Sequence, residues 1–240
     1  MRIDANGLHF SVLDKAVRDA ADREIIIDNC IGQRYIGSGL SGKNIKINGT
    51  PGNALGAYLN GAGITVHGNV QEATGDTMNG GEIVVYGSAG DATGYAMRGG
   101  KIFVEGDVGY RCGIHMKAYR ENKPAIVIGG RTGSFLGEYQ AGGIIIVLGD
   151  SLDEKPVIGN FCGTGMHGGE MYVRCEQIPT RLPAQVKAER LDRLPEGEAA
   201  QLVREWCERF GKDSEKYINC IYYRLTPDSA NPYKQMYTQN

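Results

Sequence analysis

Arg111, His115 and Lys117 occupy one short segment near the middle of the chain, and Arg98 precedes them. They form the densest group of side chains able to bind a charged ligand, because guanidinium and ammonium groups donate strong hydrogen bonds to carboxylates and phosphates. Together with His167, these residues are predicted to contact an anion or the carboxylates of a partner protein. The competing interpretation, which the sequence favours, is a solvated polar row along one corner of the fold.

Other residue types that perform catalysis are present, but their spacing argues against an active site. Glu72 and Asp91 recur at the same point of a 19-residue repeat, yet no base accompanies them, so a two-carboxylate site has weak support. His67, His115 and His167 fall at three different points of that repeat and predict no metal triad. We therefore predict no catalytic, cofactor-binding or metal-binding residue in this chain.

The six cysteines are scattered and include no C-x-x-C pair, which argues against a zinc site or a disulfide framework. Cys112 and Cys162 share one point of the repeat but are two repeats apart, about 9.6 Å, too far for a disulfide. We expect buried free thiols in a reducing compartment.

Glycine is abundant, at 36 residues, and it is periodic. One row closes the repeats and a second row lies mid-repeat; their members are Gly49, Gly68, Gly87, Gly106, Gly130 and Gly149, and Gly37, Gly56, Gly75, Gly94 and Gly113. A fixed period of this size is typical of a solenoid. Nucleotide binding has little support, because strands and not helices follow these glycines.

The residues before each closing glycine alternate apolar and variable, as in Ile64/Val66 and Ile83/Val85, which predicts one strand per repeat. Stacked strands of this kind give a mainly β fold, a right-handed single-stranded parallel β-helix of about seven coils. A left-handed hexapeptide helix is rejected because the period is 19 and not 18. A second inward apolar row is expected; its members are Leu40, Leu59, Met78, Met97, Met116 and Met166.

An outward-facing row changes character along the chain. It begins with Lys46 and Thr65 and continues with apolar residues, namely Val84, Phe103, Val127, Ile146 and Tyr172. Contiguous apolar surface usually marks a contact. We expect this packing face to be covered by the C-terminal helix or by a partner protein.

Three regions are predicted. Residues 1–30 hold an N-terminal helical cap, with Ser11 as N-cap and a face of Val12, Leu13, Ala16, Val17 and Ala20, followed by a first strand at Ile25–Ile27. Residues 31–175 form the solenoid, with loop insertions at 118–124 and 151–156. Residues 176–240 form a helical and extended segment that packs on the solenoid or a partner. It contains a helix at Glu198–Phe210 stopped by Gly211, a strand at Ile218–Leu225 and an extended tail.

The formal net charge of −2 over 240 residues gives no basic footprint for nucleic acid. No apolar run is long enough to span a membrane, and the start Met1-Arg2-Ile3-Asp4 does not resemble a signal peptide. We expect a cytoplasmic protein. The sequence does not determine its oligomeric state, and a homo-oligomer is one of the alternatives.

Several segments of this chain resemble the GXGXG domain, the C-terminal domain of the glutamate synthase large subunit, in its stand-alone archaeal-type form. They are Gly32–Gly37, Gly80–Val85, Gly109–Lys117, Gly137–Gly143, Gly163–Gly169 and Asn231–Tyr233. The resemblance covers nearly the whole chain. A related domain, which forms one subunit of formylmethanofuran dehydrogenase, is the alternative.

The resemblance implies a non-catalytic structural subunit of a glutamate synthase complex, which makes glutamate from glutamine and 2-oxoglutarate. The implied partners are a glutamine amidotransferase subunit and an FMN and iron–sulfur synthase subunit, so FMN and the clusters are expected there and not in this chain. An independent enzyme or small-molecule binder that uses the corner from Arg98 to Lys117 is the hypothesis from a different class.

Overall fold

The computed structural model describes residues 1–150 and 155–230, and within those ranges the chain is mainly β. The strands are β1 (Arg2–Asp4), β2 (Glu24–Ile31), β3 (Asn44–Thr50), β4 (Asn60–His67), β5 (Gly80–Val85), β6 (Lys101–Val104), β7 (Ala125–Ile128), β8 (Ala141–Val147), β9 (Gly168–Arg174), β10 (Val186–Leu191) and β11 (Tyr222–Pro227). The helices are α1 (Phe10–Asp19), α2 (Glu198–Phe210) and α3 (Glu215–Ile218).

All of these strands belong to one long sheet. Strands β1 to β9 lie side by side in chain order and pair in parallel. At the far end β11 pairs antiparallel with β9, and β10 pairs antiparallel with β11. Equivalent residues of successive repeats lie opposite each other, as Ile64, Ile83 and Ile102 do. The predicted parallel stacking of repeats on one another is therefore confirmed.

The inward-facing apolar residues form one continuous core. It holds both members of the alternating strand pairs, such as Ile83 and Val85, together with the leucine and methionine row expected from the sequence. A second row of parallel bridges joins Val70 to Ala89 and Ala89 to Val108. Neighbouring repeats are thus hydrogen-bonded at two separate points, which fixes the spacing of every side chain on their surface.

Each repeat contains three residues of positive φ at alternate positions. In one repeat they are Ala92, Gly94 and Ala96, with φ of 56°, 70° and 49°. The two alanines are half-buried, whereas a Cβ on Gly94 would lie 2.4 Å from Ile126 Cδ1. Glycine is required at the central position because it combines a left-handed backbone with a core-facing Cβ direction.

The N-terminal region differs from the prediction in three ways. A short strand, β1, precedes the helix and pairs with β2, so the predicted strand Ile25–Ile27 is the middle of the second strand. The N-cap of α1 is His9 and not Ser11, because His9 Nδ1 accepts a hydrogen bond from the Ser11 backbone N–H. Val12 is exposed, since only Leu13 and Val17 of the helix are buried.

The C-terminal region matches the prediction at α2 and departs from it elsewhere. The helix spans Glu198–Phe210, and Gly211 ends it in the left-handed conformation. The predicted strand Ile218–Leu225 is wrong at its start, because Ile218 belongs to α3 and is buried with Tyr217 against α2. Strand β10 is an addition to the predicted elements.

Of the two insertions, 118–124 is a turn closed by an antiparallel bridge between Tyr119 and Asn122. Residues 151–154 of the second insertion, and the predicted extended tail from Asn231 onward, lie outside the described residues. Within the described ranges, no helix has the length and apolar character to cross a membrane.

Candidate partner-contact surfaces

The packing face lies beneath the chain's own α2. Its members Val84, Phe103, Val127, Ile146 and Tyr172 are aligned in register across β5 to β9 and are at most 4% exposed. They form a second core with the apolar side of α2 and with α3. The sequence left two alternatives for covering this face, the C-terminal helix or a partner protein, and in the structure the helix α2 covers it.

Trp206 is the centre of that second core. Its Nε1 donates a buried hydrogen bond of 2.9 Å to the carbonyl of Val104. A Cβ on Gly129 would lie 2.5 Å from the indole ring and 2.2 Å from the carbonyl oxygen of Glu105. Glycine at position 129 therefore lets the tryptophan reach the sheet.

Polar contacts border the covered face. Arg209 donates two hydrogen bonds of 3.1 Å to the carboxylate of Glu82, and Lys101 donates one of 2.6 Å to Glu205. The hydroxyl of Tyr86 donates to the backbone carbonyl of Arg209 at 2.8 Å. These contacts fix where α2 sits along the sheet.

The first repeats of the same sheet face lie beyond α2 and are polar. His67 stacks on Tyr86, with 4.7 Å between ring centroids. Partial burial, and then the charge of Lys46, hold the pKa of His67 below its ordinary value. The neutral imidazole is therefore favoured, which suits stacking more than anion binding.

Four of the five predicted contact residues meet at one surface. Arg98, His115, Lys117 and His167 line an open groove of about 400 Å³. Tyr95 and Tyr139 complete it, and these six residues are called the basic–aromatic groove below. His115 and His167 line the same groove although they fall at different points of the repeat. The position of His167 comes only two residues after that of His115 within a turn, and both positions face the groove.

The backbone of three adjacent repeats holds the groove in shape. The Lys117 N–H donates to Met97 O at 3.0 Å, and the His115 N–H donates to Glu138 O at 2.8 Å. His115 and Tyr139 occupy the same left-handed position in successive repeats, so their rings stack 5.0 Å apart and 9° from parallel. Tyr95 packs edge-on to His115, with centroids 6.0 Å apart.

Arg111 does not belong to this groove. It occupies the first left-handed position of its repeat, where it pairs with Glu138 at 3.5 Å and lies 5.2 Å from the centre of the Phe135 ring. Arg111 is close in sequence to His115 and Lys117, but it occupies a different position of the turn. Its side chain therefore lies beside Phe135 and Glu138 and not in the groove.

The groove is chemically suited to acidic groups. Arg98 and Lys117 form no ion pair with any residue in 1–150 or 155–230. His167 Nδ1 lies 3.0 Å from Gly165 O, and because a carbonyl only accepts, this contact requires a proton on Nδ1. Tyr95 and Tyr139 are absent from the predicted contact residues, although correcting the period for the insertion aligns Tyr139 with His115.

The buried thiols of Cys30, Cys112 and Cys162 are poor nucleophiles. Burial raises the pKa of Cys112 and of Cys162 to about 12, and that of Cys30 to about 11. Thiols stay protonated at neutral pH under these conditions, so they neither attack nor ligate metals readily. Among the described residues no group of three or more His, Cys, Asp or Glu side chains is placed to hold a metal.

Comparison with known proteins gives a consistent assignment. An uncharacterized protein, MJ1350, of Methanocaldococcus jannaschii is 42% identical over 251 residues, covering 98% of this chain and 95% of that protein. A chain of the formyltransferase/hydrolase complex FhcABCD of Methylorubrum extorquens, solved with methylofuran, has a similar fold. It superposes with a TM-score of 0.65 at 19% identity, covering 95% of this chain and 91% of that chain. The GXGXG motif family matches residues 15–225, and this chain belongs to that family.

Proposed function

We propose that this chain is a structural subunit, without catalytic residues of its own, of a multi-subunit enzyme complex in the cytoplasm. The observation that carries the proposal is the fold likeness to a chain of the FhcABCD complex, which extends over nearly the whole of both chains. The arrangement of side chains agrees with this role, because Cys112 and Cys162 are buried and the described residues lining the groove include no thiol, hydroxyl nucleophile of Ser or Thr, or paired acids.

The same proposal includes the winding of the chain. Two rows of parallel hydrogen bonding in each repeat support a right-handed, single-stranded parallel β-helix of about seven coils. Residues 1–30 serve as a cap, 31–175 as the β-helix, and 176–240 as the segment that packs on it. A solenoid of this kind is stiff and offers extended surfaces for neighbours.

Two holoenzymes are candidates. The solved relative, a chain of a formyltransferase/hydrolase complex with methylofuran, favours a complex that handles formyl groups. This agrees with the alternative resemblance to one subunit of formylmethanofuran dehydrogenase. The second candidate is a glutamate synthase, supported by the likeness of segments such as Gly109–Lys117 to its GXGXG domain. In that case the partners are the amidotransferase and the FMN and iron–sulfur subunits.

Affinity purification of the tagged chain from its source cells tests this proposal. We expect enzyme subunits to co-elute at fixed stoichiometry, and mass spectrometry to identify them. Glutamine-dependent glutamate formation by the eluate would assign the synthase, whereas formyl transfer to a furan carrier would assign the other complex. Recovery of the chain alone under gentle, low-salt conditions would contradict the proposal.

A further inference from the structure

We propose that the basic–aromatic groove docks an acidic segment of a partner subunit. This inference rests on the proposed function and adds to it the place of contact and the chemistry of the contacting segment. Its occupant is a stretch of polypeptide that carries Asp or Glu side chains.

Charge complementarity is the first argument. Arg98 and Lys117 are exposed and form no ion pair with a described residue, and no carboxylate is among the residues that line the groove. Nearby basic residues on the same repeats behave differently, since Arg111 pairs with Glu138 and Lys101 with Glu205. The chain's net charge of −2 gives no general attraction for acids, so the preference is local to this groove.

The aromatic residues are the second argument. Tyr95 and Tyr139 are 39% and 43% exposed and lie on either side of His115, Tyr95 edge-on to its ring and Tyr139 stacked on it. Tyrosine and arginine are, with tryptophan, the side chains enriched among those that dominate the free energy of protein–protein binding. Ring contacts with His115 already restrain both tyrosines, so less side-chain entropy is lost when a partner binds.

The shape of the groove favours a polypeptide over a small ligand. Small-molecule sites bury about 70–90% of a ligand's surface. Here Arg98, His115, Lys117 and both tyrosines remain exposed along an open surface. Arg98 and Lys117 are on adjacent repeats, about 4.8 Å apart, close enough for one acidic segment to contact both side chains.

Charge reversal at the groove, Arg98→Glu with Lys117→Glu, tests the proposal in the purification from source cells. The matched control is Arg23→Glu with Lys187→Glu, which changes two exposed basic residues elsewhere by the same charge. We expect the groove variant to recover at least about tenfold less of the co-purified enzyme subunits, and the control to recover them as the wild type does. Both variants should melt within about 2 °C of the wild type, because the changed side chains are exposed.

A photo-crosslinking amino acid at position 139 identifies the occupant. We expect the crosslinked peptide to come from a co-purified enzyme subunit and to contain Asp or Glu. Unchanged subunit recovery by the charge-reversal variant would overturn the docking proposal and leave the proposed function standing. A wild type that recovers no subunit would instead overturn the proposed function.

Free anions provide the remaining comparison. If millimolar citrate or inorganic phosphate raised the melting temperature of the wild type but not of the groove variant, while subunit recovery stayed equal, the groove would be a small-anion site. That result, or a crosslink only to a second copy of this chain, would overturn the proposal. Absence of a melting shift together with lost recovery supports it.

Discussion

The three left-handed positions of each repeat carry different constraints. Ala92 and Ala96 show that a Cβ is tolerated at the outer two, where it points toward the surface. Gly94 is the central residue, and the Ile102 and Ile126 side chains fill the space beside it. Backbone geometry alone would permit alanine at all three positions, so core packing is what selects glycine at the centre.

Gly94→Ala should therefore lower the free energy of unfolding by about 2–4 kcal/mol, the sum of left-handed strain and overpacking of the core. The matched control is Ala92→Gly, two residues away and also at positive φ, which should change stability by less than about 1 kcal/mol. Urea unfolding followed by circular dichroism measures both. Equal effects of the two changes would contradict the packing explanation.

The buried thiols predict a dependence of stability on alkaline pH. Burial raises the pKa of Cys112 from 9.0 to about 12, so its contribution to folding is complete below pH 9 and is lost as the pH rises toward 12. Relative to Cys112→Ala, the wild type should lose about 1.4 kcal/mol of stability for each pH unit above 9. Unfolding free energies of both proteins at pH 8, 9 and 10 measure this, and parallel curves would contradict it.

At the scale of elements, α2 acts as a cover that the repeats cannot supply themselves. Phe103 and Ile146 point out of the sheet and would be exposed without it, whereas Trp206 inserts between the helix and β6. Because Val104 O also accepts from the Gly129 N–H, the tryptophan hydrogen bond is not the only partner of that carbonyl. Most of the contribution of Trp206 is therefore its apolar contact area.

Trp206→Ala should destabilise the protein by about 3–5 kcal/mol, because it empties the centre of the second core. Trp206→Phe keeps much of that packing and should cost only about 1–2 kcal/mol, even though the hydrogen bond is lost. Tyr110→Ala, at a residue that is 55% exposed, is the control and should have little effect. Chemical denaturation measures all three, and a phenylalanine variant as unstable as the alanine variant would show that the hydrogen bond dominates.

The sequence is most informative where one face of an element is buried. Helix α2 shows a clear 3.6-residue pattern and ends at Gly211, so its bounds could be predicted. Strand β10 could not, because at the edge of the sheet only Val186 is buried and its pattern VKAERL does not alternate. Likewise β1 is only three residues long and too short to show a period.

The groove illustrates the corresponding limit for the candidate site. The sequence could predict Arg98, His115, Lys117 and His167 as candidate contact residues, but not which of them lie side by side. Their meeting depends on how insertions shift the pairing, since the register steps by 19 residues in most repeats and by 24 and 26 at the insertions. Arg111 is separated from the others by the direction of its side chain, which is set by a left-handed backbone. The spacing of residues in the sequence does not predict that direction either.

At the scale of the whole molecule, one sheet extends from β1 near the N-terminus to β10 and β11 in the C-terminal region. Its outward apolar face is covered by α2, whereas no other described element covers the basic–aromatic groove. A stiff body with one apolar face already covered by its own helix and one exposed basic and aromatic surface is suited to holding other subunits in a fixed arrangement. Under the proposed function, the catalytic chemistry of the complex belongs to those subunits.

Native mass spectrometry of the endogenously tagged chain, purified at low salt from its source cells, tests the central claim most directly. The account predicts that the chain is found in an assembly of fixed stoichiometry with at least one catalytic subunit, and that Arg98→Glu with Lys117→Glu depletes that assembly. A chain found only at the mass of the free protein, or of a homo-oligomer, would contradict the account.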